Sequence, residues 1–273
     1  MGPMEIYGTL ETLLGIAAPA EKIAAFKTFY AAYRDGKVER DASAECRVFD
    51  RPSYAGFCTI ADPKEVPRRN NLKTAHGQTL LLHAIAHIEY SAIDLALDAV
   101  YRFREEGEEF ERDWLEVAED EVRHFEMIEN LLHELGSGYG EYPVHDALFE
   151  ASMRTLSLSE RMAVVPRYLE ANGLDATPQI LRKLEPYKKE PMIAKIIAAL
   201  HVILDEEVDH VRKGDKWFAH SCRKARIPAS SYFVIIERHY PGSFPRKIEI
   251  NCEARRRAGF EEKELEKISS KRC

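Results

Sequence analysis

The sequence predicts an all-α protein: a four-helix bundle with an extension at each end. Three observations carry that prediction. Long stretches repeat apolar residues at the three-to-four spacing of a helix. Two of them place a Glu-x-x-His on the apolar side, Glu121 with His124 and Glu207 with His210. A further stretch with a glutamate on its apolar side precedes each pair, Glu89 lying 32 positions before Glu121 and Glu170 lying 37 before Glu207. The order Glu, Glu-x-x-His, Glu, Glu-x-x-His is a two-fold repeat of a helical hairpin.

Residues 1–72 are expected to be an extension wrapping the bundle. Within it, Glu21 to Arg34 has helical periodicity and stops before Asp35-Gly36. From 40 to 71 the chain reads as irregular, with Pro52, Pro63 and Pro67 and the basic pair Arg68-Arg69. The bundle is expected over 73–220. Its first helix runs from Thr74 to about Arg104 and sets Glu89 among Leu82, Ile85, Ala92, Ile93 and Ala96. His83 and His87 lie on a different face of it. Their i, i+4 spacing suits two ligands, but no Glu follows the first His, so buried, hydrogen-bonded histidines are the preferred reading.

The second helix, Phe110 to Leu135, carries Glu121 and His124 beside Trp114, Val117, Ile128 and Leu132, and closes at Gly136-Ser137-Gly138. His145-Asp146 in the following loop either lies near one end of the site or caps a short helix. The third helix starts at Ser157. Pro166 cannot donate to the carbonyl of Met162, which predicts a kink one turn before Glu170. After Asn172-Gly173 the helix either continues bent to about Leu184 or breaks. The fourth, Pro191 to Ala219, carries Glu207 and His210 among Ile196, Leu200, Ile203, Val211 and Trp217. Residues 221–273 form a C-terminal extension with a short helix at Ser230–His239 and helix again near the end of Ile250–Arg272.

A buried carboxylate or imidazole needs a partner. Four glutamates and two histidines facing one another supply the ligands of two divalent ions, and the donor types suit iron or manganese better than calcium. Asp120, Arg123, Asp205 and Asp209 are the candidates to orient the ligating histidines from behind. Tyr90 and Tyr168 point off the ligand face and are read as packing.

Composition excludes several classes. Five scattered cysteines with no Cys-x-x-Cys argue against a disulfide framework and a zinc knuckle and for a reducing compartment. No basic-then-apolar leader opens the chain, Ile6 stands where myristoylation at Gly2 requires Ser or Thr, and no apolar run reaches a membrane span. A cytoplasmic protein is the expectation. The net charge of −7 is uneven: Arg212–Cys273 holds 16 Lys and Arg against 8 Asp and Glu. Such a tail is read as surface salt-bridged to the acidic body, with nucleic-acid contact as the alternative.

The six-ligand arrangement resembles the ferritin-like di-iron carboxylate superfamily. HAIAHIE (83–89), DALFEASMRT (146–155), RMAVVPRYLEANGLD (161–175), EEVDHV (206–211), GDKWF (214–218) and EARRRAGF (253–260) are similar to a ferritin-like family described as a domain of unknown function and sometimes labelled a rhamnosyltransferase. The resemblance runs from about residue 65 to the end. Asn172 departs from the Arg that the family pattern carries after Glu-Ala. The resemblance implies a ferritin-like bundle and two metal ions, iron first and manganese or a mixed pair next. More distantly, the layout is similar to the tRNA-modifying di-iron hydroxylase, which fits the basic tail.

These readings predict an oxygen-activating hydroxylase or oxidase of unknown substrate. A separate reductase is expected, since no GxGxxG fingerprint appears, and a homodimer is an open expectation. The alternatives are iron oxidation or sequestration without an organic substrate, and a metal-free helical scaffold.

Overall fold

The computed structural model describes residues 4–41, 43, 45–271 and 273. Gly2 and Arg272, both used above, lie outside them. The chain is predominantly helical and divides into two compact units, Met1–Phe149 and Glu150–Cys273.

The first unit is built on a pair of long helices, α3 (Ala75–Arg102) and α4 (Glu108–Glu134), which pack along their length; α1 (Ile6–Gly15), α2 (Pro19–Arg34) and the start of α5 (Ala147–Arg154) complete its helices. Thr74 caps α3, its hydroxyl accepting the Gly77 N–H at 3.1 Å. The bounds predicted for both long helices hold to within two residues.

Helix α3 is apolar almost all round. It is long and apolar enough to cross a membrane by length and composition, but 83% of its most apolar window is buried within the protein. That is how a central core helix reads.

Helix α1 has no counterpart in the sequence reading. The Glu5 carboxylate caps it by accepting the Tyr7 N–H at 2.9 Å, and Ile6, Leu10 and Leu13 are buried. Met4–Glu5 (β1) pairs in parallel with Val38–Glu39 (β2), so the N-terminal segment is fixed at both ends of its helical hairpin. Polar contacts then tie it to the long pair. The Tyr7 hydroxyl donates to Glu111 at 3.0 Å, Arg40 Nε donates to the same carboxylate at 2.8 Å, and buried Lys22 pairs with Asp94 while bonding Ser53 at 2.6 Å. Burial pulls the Lys22 ammonium down and pushes Asp94 up, so the pair holds together two groups that would each lose charge alone.

The second unit opens on α6 (Leu158–Val164), started by a Ser157/Glu160 capping box. It runs into a π-helical segment, Val165–Glu170, and then α7 (Ala171–Leu184). Of the two outcomes expected after Asn172-Gly173, continuation to Leu184 is the one observed. The missing N–H of Pro166 is accommodated by widening the turn rather than by stopping the helix. Helix α8 (Pro191–Ala225) lies against this bent rod and continues six residues past its expected end. Gly214 permits the approach: a Cβ there would meet the Pro166 ring at 2.3–2.4 Å.

Helix α9 (Ser231–His239) and the short helices α10 (Cys252–Arg257) and α11 (Glu262–Ile268) finish the unit. The cysteine reading needs a correction. Cys252 and Cys273 form a disulfide, with Cα atoms 5.6 Å apart, while Cys46, Cys58 and Cys222 are free. The chain end returns to its own helices because Arg246 N–H donates to the Ile268 carbonyl at 2.7 Å, a closure that cysteine spacing cannot reveal.

Candidate metal centre

In the first unit, α3 contributes Glu89 and α4 contributes Glu121 and His124. All three are buried, His124 and Glu121 completely. Each offers one ligand atom, and these atoms lie within 4.8 Å of one another. His124 Nδ1 is 3.2 Å from Glu89 Oε2 and 3.5 Å from Glu121 Oε2. Burial opposes a charge on this imidazole. The hydrogen bonds to Glu121 and Glu89 outweigh it and push His124 up to about 11. In the metal-free chain a proton therefore sits between two carboxylates, where a cation would supply the same compensation.

In the second unit, Glu207 and His210 share one face of α8, with His210 Nδ1 3.7 Å from Glu207 Oε1. His210 is fully buried and the Glu207 side chain is 14% exposed. Glu207 Oε2 is buried and has no hydrogen-bond partner among the described residues. Glu170 closes the π-helical segment and is half-buried. Its position there is set by the residues around it. The Arg167 guanidinium is ion-paired with Asp215 at 2.9 Å and Glu264 at 2.9 Å and packs over the rings of Tyr232, Phe260 and Phe218 at 4.5, 4.7 and 5.0 Å. The Tyr232 hydroxyl donates to the Arg167 carbonyl at 3.0 Å, taking up an acceptor that the irregular turn leaves over. Burial pushes Asp215 up to about 6 even with Arg167 pulling it down.

The four residues expected to orient the ligands make ion pairs with nearby charged side chains. Asp120 pairs with Arg123 on the outer side of α4, and Arg123 also reaches Glu119 at 3.5 Å. Asp205 is well exposed and binds Arg257 at 2.9 Å, so it does not stand behind His210. Asp209 pairs with Arg212 and, at 3.1 Å, with Lys213. Asp120, Arg123 and Asp209 each stand one residue before a candidate ligand and so lie about 100° round the helix from it, and Asp205, two before Glu207, lies about 200° round. Asp146 has no capping bond to α5 among the described residues; the Ala147 N–H instead approaches His145 Nδ1 at 3.4 Å.

The predicted salt-bridging of the basic tail is seen residue by residue. Arg255 makes a buried two-pronged pair with Asp175 at 3.0 and 2.7 Å, Arg238 meets Glu160 at 3.2 Å, and Arg257 meets Asp205. Much of the positive excess is thus used inside the second unit.

Comparison with known proteins adds the family. The model of a family described as "Protein of unknown function (DUF455)" matches residues 15–266. The chain belongs to this family. A relative from Haemophilus influenzae, named only as an uncharacterized protein, is 38% identical over 217 residues, covering 77% of this chain and 73% of its own. No solved structure matches. The DUF455 match spans all six expected ligands, both histidine-bearing helices and the Arg167 anchor.

Sequence reasoning missed that anchor. Arg167 stands out only as a lone arginine on an otherwise apolar stretch, and its partners Asp215 and Glu264 are 48 and 97 positions away.

Proposed function

We propose that this protein is a ferritin-like dinuclear metal protein. In this reading the first unit supplies Glu89, Glu121 and His124, and the second supplies Glu170, Glu207 and His210. Iron is the preferred metal, with manganese or a mixed pair as variants, because carboxylate oxygen and imidazole nitrogen together suit those ions. The observation that carries the reading is the buried Glu89–His124–Glu121 arrangement, whose candidate ligand atoms lie within 4.8 Å of one another. Glu207 has the type and burial to join that donor set, and its Oε2 lacks a hydrogen-bond partner among the described residues.

The function that follows is dioxygen activation by a hydroxylase or oxidase acting on an organic substrate. A metal pair held by these residues would supply the redox chemistry toward dioxygen, and the chain supplies charge, geometry and exclusion of water. His124 must release its proton to bind metal, and Glu121 and Glu89 then turn from holding that proton to holding the ion. With no nucleotide fingerprint in the chain, a separate reductase provides the electrons.

The test is metal content after purification with iron and manganese supplied, beside Glu121→Ala and His210→Ala. About two ions per chain in the parent, reduced in each variant, is the expected result. Parent protein that binds neither metal under any loading overturns the proposal.

A further inference from the structure

The first unit holds a second concave site on the opposite side of α3. At about 100° per residue, Leu80, His83, Ala84 and His87 share a face that points away from Glu89. Against that face lies a cavity of about 440 Å³, closed on its other sides by the 63–70 loop and by residues 142–145. This is the size range of pockets for small organic ligands.

Its walls are fixed before any ligand arrives. Pro63, Pro67 and Pro143 stiffen them. The loop strands are sewn together where Ala61 N–H donates to Val144 O at 2.8 Å and Val144 N–H donates to Thr59 O at 2.9 Å. The histidines are fixed too. His83 Nε2 accepts the N–H groups of Gly140 and Tyr142 at 3.0 and 3.3 Å. His87 donates from Nε2 to the His145 carbonyl at 2.7 Å, so its Nδ1 accepts the Tyr139 hydroxyl at 3.0 Å. Both imidazoles are held neutral, burial pulling each down to about 4.

The cavity's charge therefore comes from elsewhere. Arg68 and Arg69 line it, and no Asp or Glu does, in a chain whose net charge is −7. Glu141 and Asp146 act electrostatically on His83 and His145 but do not line the cavity. Neither arginine has an ion pair among the described residues. This sets them apart from tail arginines such as Arg255 and Arg257, which are paired within their own unit. Arg69 acts on His145, which places its charge toward the cavity. Opposite the charge, Val66, Leu80 and Ile88 offer apolar surface, and Ile88 is 45% exposed on an otherwise buried helix.

We propose that this cavity is a binding site for a small organic anion, a carboxylate or phosphate monoester with a short apolar body, clasped by Arg68 and Arg69. Guanidinium pairs match the two oxygens of such heads, and the preset walls reduce the ordering that binding requires. The site stands apart from the metal ligands and does not depend on them.

The test follows the histidine ring signals by NMR while benzoate, phenyl phosphate or benzylamine is added to the full chain. Saturable shifts with benzoate or phenyl phosphate, and none with benzylamine, are the expected result. Their relative affinities then tell a carboxylate from a phosphate site. Arg68→Ala/Arg69→Ala should weaken binding at least about tenfold, the scale of losing one charged hydrogen bond. Ile88→Glu, at an exposed position, should do the same by placing a negative charge at the mouth. Equal response to benzylamine, binding unchanged in both variants, or displacement of benzoate by a short single-stranded oligonucleotide would each overturn the proposal.

Discussion

The two Glu-x-x-His helices carry the same motif in different settings. In the first unit, Glu89, Glu121 and His124 stand on two regular helices, are all buried, and both carboxylates lie within 3.5 Å of His124 Nδ1. In the second, Glu170 ends a π-helical turn, Glu207 is partly open, and the His210–Glu207 contact is longer at 3.7 Å. The first half is preassembled. The second is held in place by an anchor outside it, the Arg167 ion pairs and aromatic cage. A repeat in sequence therefore does not imply a repeat in energetics: one half carries its own electrostatic compensation, and the other relies on neighbours to define it.

The largest effect should come from breaking the anchor. Arg167→Ala leaves Asp215 and Glu264 beside an emptied aromatic cage, and breaking a buried pair in this way costs about 3–5 kcal/mol. Urea unfolding would show it; a loss below about 1 kcal/mol, the range of exposed pairs, would mean the anchor is not what orders the π-helical turn. Gly214→Ala attacks the same half sterically. The new methyl meets a rigid proline ring rather than a flexible side chain, so overpacking of about 1–3 kcal/mol is expected.

Glu121→Gln and Glu207→Gln compare the halves directly. In metal-free protein Glu121→Gln removes a charge that balances buried His124⁺ and should cost about 1–3 kcal/mol. Glu207→Gln should stay within about 0.5 kcal/mol, because among the described residues Oε2 has no hydrogen bond to lose and Oε1 meets His210 only at 3.7 Å. Both should weaken metal binding. Equal stability losses in the two variants would mean that the halves are energetically alike after all.

Much of this was readable in the sequence, and the failures are instructive. The four long helical stretches announce themselves because burial on one face forces a 3.6-residue period. The kink at Pro166 follows from one missing N–H, but choosing a π turn over a break needed Gly214 and Tyr232, which lie far along the chain. Helix α1 was missed because it is ten residues long and owes its start to a glutamate cap rather than to the usual Ser, Thr, Asp or Asn. The candidate ligands stood out as charged residues on apolar faces. The residues supporting them did not, since partnerships such as Arg167–Glu264 and Arg255–Asp175 depend on tertiary closure and leave no local pattern. His83 and His87 were rightly read as satisfied by hydrogen bonds, but the cavity beside them needs a loop whose path only the fold defines.

The finest test of the comparison is pH. His124 binds its proton up to about 11 in the folded chain, against an ordinary value of 6.5. Between those values the folded state holds a proton that the unfolded state has released, so stability falls as pH rises. The contribution is fully present below 6.5 and is lost as pH passes through the folded value. Its slope is at most about 1.4 kcal/mol per pH unit for one proton. Urea midpoints of metal-free protein at pH 7, 8 and 9 should therefore decline, and His124→Gln should flatten the decline. Metal reverses the sign, because a cation and the His124 proton compete for the same two carboxylates and raising the pH favours the cation. A midpoint that rises with pH when metal is present and falls when it is absent would identify the proton as the placeholder for the ion. Parallel slopes in both conditions would place the metal elsewhere.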